Sequence, residues 1–184
     1  MSTPDHPDDA PLYQRDPHAW QAHLAEGNRV QPRKRVAAEV VIHDTGGRIL
    51  LVDPSYKPPW DIPGGMAEAN EPPAQTAWRE LREELGLDIE LGGLLCVDWV
   101  APHGPWDDLL MFVFDGGVLG PAQAAALAPA DEELRRAEFC GRGEAEQRLR
   151  ADVWRRTRAA LAALSTRTPV YLHNGRGPSA HPAP

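Results

Sequence analysis

A segment in the first half of the chain, residues 60–87, places a glycine pair shortly before an amphipathic helix that carries clustered glutamates. Pro72 and Pro73 stand where a first helical turn tolerates proline, and Gly86 is a natural C-terminal stop. The apolar positions between them share one stripe and are Ala74, Ala77, Trp78, Leu81 and Leu85. The segment therefore predicts a loop followed by a helix that packs on a core.

Three glutamates, Glu80, Glu83 and Glu84, lie on an adjoining face of this helix, because residues three and four apart are neighbours. Like charges at this spacing destabilise an isolated helix by roughly 0.2–0.5 kcal/mol per pair. A hard divalent cation would offset that repulsion, since Mg²⁺ is typically held by one or two carboxylates together with substrate phosphates. A glutamate left without metal could take a proton from an attacking water.

The preceding Gly64-Gly65 pair lets the backbone turn sharply and approach a ligand, and a carbonyl there could supply another metal oxygen. Each feature alone has a plainer interpretation. A helix face rich in Glu and Arg is usually solvated surface, and a glycine pair after a proline is usually a turn.

The combination resembles the Nudix box at every defined position. Its fixed residues here are Gly65, Glu71, Arg79, Glu80, Glu83, Glu84 and Gly86. At average residue usage these identities would coincide by chance about once in 10⁸ placements. The resemblance covers residues 65–87 in detail and extends loosely over residues 36–164.

The resemblance implies an α/β/α sandwich with a mixed β-sheet and an enzyme that hydrolyses nucleoside diphosphates linked to another moiety, using Mg²⁺ or Mn²⁺. By position, it implies that Glu80, Glu83 and Glu84 hold the metal with the Gly64 carbonyl. Glu83 or Glu80 would be the general base, and Arg79 would orient the carboxylates.

The same resemblance makes Glu71 a support of the loop–helix–loop shape, with Gly65 and Gly86 structural. Some Nudix enzymes use a further acidic residue outside the box. Plain surface is the favoured interpretation for each candidate, and if one of them serves the site, Glu132 or Glu133 is preferred; the candidates are Asp107, Asp108, Asp131, Glu132 and Glu133.

Substrate recognition is expected outside the glutamate cluster, at Trp60 together with Gly64 and Gly65. Residues that could line a pocket are Tyr56, Trp60, Trp99, Trp106, His43 and His103, and a base could stack on Trp60 or Trp106. We expect Trp78 and Trp154 in the core instead. The basic run 33–35 is interpreted as a solvated strand edge, with a phosphate contact as the alternative.

Along the chain, we expect a disordered segment over residues 1–15, a domain over residues 16–164 and a loose tail over residues 165–184. Asp16-Pro17 predicts a helix start, and residues 45–47 a hairpin turn. Strands are predicted at residues 36–43, 48–53, 89–100, 109–114 and 138–140. One long helix is predicted over residues 144–164.

The charge and cysteine content narrow the class of protein. A net charge of −8 argues against a general nucleic-acid binder. The sequence shows no apolar run long enough for a membrane helix and no secretory signal, and its two cysteines, Cys96 and Cys140, read as reduced thiols in the cytoplasm. A small-molecule diphosphate is the expected partner, and a homodimer could use the N-terminal segment and the last helix.

Two other functions stay open at this point. A diphosphate isomerase of the isopentenyl type would need a cysteine–glutamate pair outside the box. A non-catalytic nucleotide-binding module would share the fold, although no box carboxylate is missing here.

Overall fold

The computed structural model describes residues 10–178, which divide after Arg33 into two compact units. The first unit contains the helices α1 (Leu12–Arg15) and α2 (Pro17–Val30). The predicted helix start is confirmed, because the Asp16 carboxylate accepts a hydrogen bond from the Ala19 amide at 2.9 Å. Helix α1 occupies part of the segment expected to be disordered, and residues 1–9 lie outside the described residues.

The second unit is built on one mixed sheet. Its strands are β1 (Arg35–Asp44), β2 (Ile49–Pro54), β3 (Gly64–Met66), β4 (Leu94–Val100), β5 (Leu109–Leu119), β6 (Leu134–Cys140) and β7 (Val170–His173). They lie in the order β6-β2-β1-β5-β4-β7, and β3 pairs with β1. The β1–β5 and β4–β7 pairs are parallel and the other pairs are antiparallel, which confirms the mixed sheet.

Helices cover both faces of this sheet. They are α3 (Pro73–Leu85), α4 (Pro121–Ala126), α5 (Arg142–Arg148) and α6 (Ala151–Thr166). Alternate side chains of β1 point to opposite faces, so Val40 packs with Leu81 of α3 while Val41 packs with Leu161 of α6. The expected α/β/α sandwich is confirmed.

A buried arginine joins three elements of the sandwich. Arg156 of α6 donates to both carboxylate oxygens of Glu39 on β1, at 2.6 and 2.9 Å, and to Asp98 on β4 at 3.2 Å. All three residues are buried. The two-pronged pairing with Glu39 fits the planar guanidinium, whose paired N–H groups match a carboxylate.

The last predicted helix is wrong as a single element, because it is two helices. Leu149 and Arg150 have extended backbones with ψ near 150°, which ends α5 and begins α6. The break puts the Leu149 side chain into the core and lets its backbone pair with Trp60. A helix passing straight through this point could not form that pairing.

The predicted apolar stripe of α3 is wrong at two positions. Ala74 and Trp78 are exposed, and Thr76 is buried instead. The Trp78 indole N–H donates to Asp88 at 3.1 Å, and the Arg82 guanidinium lies 4.5 Å from the ring centre. The buried face of α3 is therefore offset from the predicted stripe and includes Thr76. Trp154, in contrast, is buried as predicted.

The segment after α6 differs from the loose tail that the sequence suggests. Residues 170–173 form β7 beside β4, and Leu172 is buried in the core. The Gly175 amide donates to Asp98 at 3.0 Å, which fastens the segment to the sheet. Residues 179–184 lie outside the described residues.

Several strand boundaries also differ from the prediction. Strand β4 begins at Leu94 rather than Ile89, and β5 continues to Leu119. The hairpin turn after β1 is confirmed, and Asp44 closes it by accepting from the Gly46 and Arg48 amides. No helix within residues 10–178 is long and apolar enough to cross a membrane.

The ion pairs of Asp53 make a prediction about acid stability. Hydrogen bonds from Arg135, and then from Arg136, hold the pKa of this buried carboxyl below its usual value. A depressed folded-state pKa adds stability above the unfolded value of about 3.9, and this is lost as the pH falls through the folded pKa. We expect wild type to lose more unfolding free energy between pH 5 and pH 3 than Asp53→Asn, measured by urea unfolding.

The matched control is Asp107→Asn, since Asp107 is exposed. Its unfolding free energy should follow the wild-type pH dependence. Parallel curves for wild type and Asp53→Asn would contradict a stabilising role for the Asp53 ion pairs.

Candidate active site

The glycine pair lies where β3 runs beside β1, and both glycines are in close contact with their surroundings. Gly64 is opposite Glu39 and has φ = +139°. A Cβ at Gly64 would lie 2.1 Å from the Ala38 carbonyl oxygen, and one at Gly65 would lie 2.4 Å from a Glu80 carboxylate oxygen. The Gly64 contact is with backbone atoms, so only glycine fits there beside β1, whereas a side chain at position 65 would displace the Glu80 carboxylate from its place beside the loop.

Arg79 is the centre of the polar contacts on α3. Its guanidinium donates to Glu71 at 2.9 and 3.1 Å, to Glu80 at 3.0 Å and to Glu83 at 2.8 Å. It also donates to the Met66 carbonyl at 3.1 Å, which ties the loop to the helix. One cation thus partly neutralises three of the box carboxylates.

Glu71 closes the loop that precedes α3. Hydrogen bonds from Arg79, and then from the Glu68 amide and the Thr76 hydroxyl, lower the pKa of Glu71 to about 2. The carboxylate is therefore ionised at neutral pH. It binds the loop backbone, the helix and Arg79 at once, which fits the support role that the sequence suggested.

Two glutamates of α3 border the glycine pair. The Gly64 amide donates to Glu84 at 3.2 Å, and Glu80 lies against Gly65. Burial, opposed by the hydrogen bond from the Gly64 amide and assisted by the nearby Glu80, raises the pKa of Glu84 to about 8. Burial also raises the pKa of Glu80, although Arg79 opposes that shift. Two carboxyls held this close in a partly dry site would be stabilised as anions by a cation.

The third glutamate, Glu83, does not line the glycine cavity. Its side chain is 56% exposed and pairs with Arg79. In the part of the chain that the structure describes, no three His, Cys, Asp or Glu side chains are grouped closely enough to enclose a metal ion. Glu80 and Glu84 at the glycine pair nevertheless supply hard oxygen donors, and this fits Mg²⁺, which one or two carboxylates and the phosphates of a substrate can hold.

Two neighbouring cavities lie along β1, and one of them is lined by the glycine pair. The first, here the glycine cavity, has a volume of about 170 Å³ and is lined by Gly64, Gly65, Glu84 and Tyr56 among others. The second, here the β1 cavity, has a volume of about 260 Å³. Both are lined by Glu39, Lys57, Asp61 and Met111. The cavities therefore form two parts of one cleft.

Some of the aromatic and histidine candidates line this cleft, and others do not. Trp60 and His103 line the β1 cavity. The Arg148 and Arg136 guanidiniums lie 4.3 and 5.0 Å from the centres of the Trp60 rings, so cations already contact this side chain. Among the described residues, Trp99, Trp106 and His43 line neither cavity.

Of the acidic candidates outside the box, two affect the box glutamates electrostatically and the others are exposed or paired elsewhere. Asp131 and Glu133 act on the site electrostatically, because they raise the pKa values of Glu84 and Glu80. Asp108 is instead paired with Lys34. Glu132 and Asp107 are exposed and form no ion pair with another described residue.

Four polar residues of the cleft are not among the candidates that the sequence suggested, namely Glu39, Lys57, Asp61 and Arg156. Lys57 pairs with Asp61 at 2.5 Å, and Glu39 with Arg156 at 2.6 Å. One signal was available in the sequence, because Glu39 is a lone charge inside an otherwise apolar strand. Such a residue must be paired when it is buried.

Comparison with known proteins agrees with this geometry. A family model described as the NUDIX domain matches residues 33–163. An RNA pyrophosphohydrolase of Halorhodospira halophila is 40% identical over 48 residues, and an 8-oxo-dGTP diphosphatase of Proteus vulgaris is 53% identical over 46 residues. These matches cover 26% and 25% of this chain and only 26% and 39% of the relatives' lengths.

Among solved structures, a NUDIX hydrolase from Nitrosomonas europaea superposes with a TM-score of 0.60 at 19% identity. The match covers 78% of this chain and 79% of that one. At this identity the likeness shows the fold alone.

The close contact at Gly64 makes a prediction about stability. In Gly64→Ala, the new methyl group would meet the Ala38 backbone, which cannot move without disturbing β1, and the positive φ adds strain. We expect the free energy of unfolding to fall by about 2 kcal/mol or more. Urea denaturation followed by circular dichroism measures this loss.

Gly93→Ala is the matched control, because a Cβ there meets no atom within 4 Å and its φ is not positive. Its stability should stay within about 0.5 kcal/mol of wild type. Equal stability of the two variants would show that the β1 backbone does not confine Gly64.

Proposed function

Because the chain belongs to the Nudix family, we propose that it is a Mg²⁺-dependent pyrophosphohydrolase that cleaves a diphosphate linkage. The substrate class is a nucleoside triphosphate or a nucleoside diphosphate derivative. The observation that carries the proposal is the placement of Glu80 and Glu84 at the glycine pair, with Arg79 bound to Glu71, Glu80 and Glu83. Glu84 lines the glycine cavity, Glu80 lies against Gly65, and Arg79 links Glu80 to Glu83.

In this proposal Glu80, Glu83 and Glu84 hold the metal together with the Gly64 carbonyl, and Mn²⁺ can replace Mg²⁺. When bound, the cation would neutralise the charge of the diphosphate and acidify a bound water. The raised pKa values of Glu80 and Glu84 support this assignment, because anions at these sites need a compensating positive charge. Gly64 and Gly65 also let the substrate approach the backbone closely.

Glu83 is our candidate general base, with Glu80 as the second candidate. Only one Glu83 oxygen, Oε2, accepts a hydrogen bond, from Arg79, among the described residues. Its Oε1 can accept a proton from a water that attacks phosphorus, while the bond from phosphorus to the bridging oxygen breaks and the leaving phosphate departs. Arg79 keeps Glu83 and Glu80 in place during this step.

Trp60 is proposed to border the part of the substrate that leaves the glycine cavity. Its ring lines the β1 cavity and is contacted by the Arg136 and Arg148 guanidiniums. Both arginines are also paired with carboxylates, so the support for a diphosphate here comes from the box residues, and Trp60 offers an aromatic surface for the rest of the substrate. The proposed partner is therefore a small diphosphate.

The two other functions receive less support. An isomerase would need an accessible cysteine, but Cys96 and Cys140 are both buried, and burial raises the pKa of Cys96 to about 12. A non-catalytic binding module would not need the complete box. Binding of nucleotides without turnover across a broad panel would favour that second function.

The experiment is a hydrolysis screen with nucleoside triphosphates, nucleotide sugars, dinucleotides and prenyl diphosphates in Mg²⁺. We expect release of phosphate or pyrophosphate from at least one nucleotide, and loss of the activity in EDTA. Glu83→Gln should lower kcat by about 10²–10⁴-fold, since it removes the proposed base and a metal ligand.

Glu90→Gln is the matched control, because Glu90 is an exposed glutamate outside the box. It should hydrolyse the substrate at the wild-type rate. If Glu83→Gln is as active as Glu90→Gln, the assignment of Glu83 is wrong. If no diphosphate is hydrolysed by wild type, the enzyme proposal itself is wrong.

A further inference from the structure

Arg35, at the start of β1, has guanidinium N–H groups that donate no hydrogen bond to a described residue. Its Nε and Nη1 atoms are buried, and neither has a hydrogen-bond partner among the described residues. No other charged side chain of residues 10–178 has such atoms. Burying donors of a charged group without an acceptor is costly, so buried unsatisfied groups in a folded protein call for an explanation.

The other cations of the β1 cavity are all paired. Lys57 pairs with Asp61, Arg150 with Asp152, and Arg156 with Glu39. Arg35 lines the same cavity but forms no ion pair with a described residue. The cavity lining therefore has one uncompensated positive charge, at the end of the cavity formed by the start of β1.

The nearby acid does not supply the missing acceptor. Asp108 is close enough for Arg35 to lower its pKa, but stronger contributions come from Lys34 and Trp99, which both donate to Asp108. The Arg35 guanidinium also lies 4.8 Å from the ring centre of Trp106. Stacking uses the face of the guanidinium and leaves its in-plane N–H donors for an anion.

The floor of the cleft along β1, between Arg35 and the glycine pair, is apolar. Arg35, Ala37 and Glu39 occupy alternate positions of β1 and so share one face. Ala37 lines the glycine cavity, Leu109 lines the β1 cavity and Met111 lines both, so these three residues form an apolar floor between the two charged ends of the cleft. From Arg35 to Glu39, which is opposite Gly64, the strand spans about 13 Å at 3.3 Å per residue.

From these observations we propose that Arg35 binds a second anionic group of the substrate, separated from the scissile diphosphate by an uncharged organic part. The diphosphate occupies the glycine cavity, the organic part lies over Ala37 and Met111, and the remote anion accepts from Arg35 Nε and Nη1. The remote group is a phosphate ester or a carboxylate, since a guanidinium pairs with both. This inference rests on the proposed function, because it names the class of substrate for the same cleft.

The test measures binding rather than turnover, so that its result does not depend on catalysis. The phosphate probes are adenosine 5′-monophosphate and the adenosine 2′,5′- and 3′,5′-bisphosphates. The carboxylate probes are UDP-glucose and UDP-glucuronate, measured in EDTA. The reference probe is adenosine 5′-monophosphate for the bisphosphates and UDP-glucose for UDP-glucuronate. Calorimetry on wild type should show that at least one probe with the additional anion binds about tenfold more tightly, or better, than its reference probe. This gain is typical of a charged hydrogen bond.

Arg35→Met should abolish this preference, while Arg158→Met, which removes an exposed arginine of α6, should retain it. A preference among the bisphosphates identifies a phosphate, and a preference for UDP-glucuronate identifies a carboxylate. The inference is overturned if wild type shows no preference in either set or binds none of the probes. It is also overturned if Arg35→Met keeps the preference.

A stability measurement separates binding from a structural role. Replacing a group with unpaired buried donors by an apolar side chain of similar length is neutral or stabilising, so Arg35→Met should melt at or above the wild-type temperature. A lower melting temperature or failure to fold would show that Arg35 is structural and would overturn the inference. If the preference is present but no diphosphate is hydrolysed, the anion site stands and the proposed hydrolase function falls.

Discussion

The buried guanidinium of Arg156 fixes the geometry on which the cleft depends. It binds Glu39 and Asp98, so α6 cannot shift along the sheet without leaving buried carboxylates unpaired. Removing one partner of such a buried group typically costs about 3–5 kcal/mol. Glu39 is also opposite Gly64. The position of the glycine pair relative to α6 is therefore set by a single charge in the interior, and the cleft lies between the elements that this charge joins.

A second arginine organises the other side of the site, and the two act differently. Arg79 is partly accessible and divides its donors among acids on one helix and its preceding loop. Hydrogen bonds from Arg79 help to lower the pKa of Glu71 to about 2, while burial raises the pKa of Glu84, which Arg79 does not contact, to about 8. Glutamate thus takes different roles at these two positions, because the surroundings of the two carboxyl groups differ. Glu71 is an anion at neutral pH and holds the loop, whereas the anionic form of Glu84 needs a nearby cation to stabilise it.

The sequence predicted those parts of the structure that local chemistry determines. Helix α3, its stop at Gly86 and the need for glycine at position 64 follow from residues close together in the chain, and they agree with the structure. The division of the last helix at Leu149, the exposure of Trp78 and the pairing of β7 did not follow. Each depends on a contact with a distant segment, such as the Trp60 backbone for Leu149. The basic run 33–35 shows the same limit, since whether Arg35 is solvated depends on β5 and the loop before it.

Strand β1 can pair with all of its neighbouring strands only after distant parts of the chain have been synthesised. Its parallel partner β5 begins at Leu109, so the longest pairing of the sheet must wait for a large part of the chain. At a synthesis rate of about 5–20 residues per second, the interval between the end of β1 and the end of β5 is roughly 4–15 s. During that interval the apolar stretch around Val40 and Ile42 presents one open edge to other nascent chains. Slow pairing of distant strands, more than weak packing of the finished domain, is then the step at which this fold is most vulnerable to aggregation.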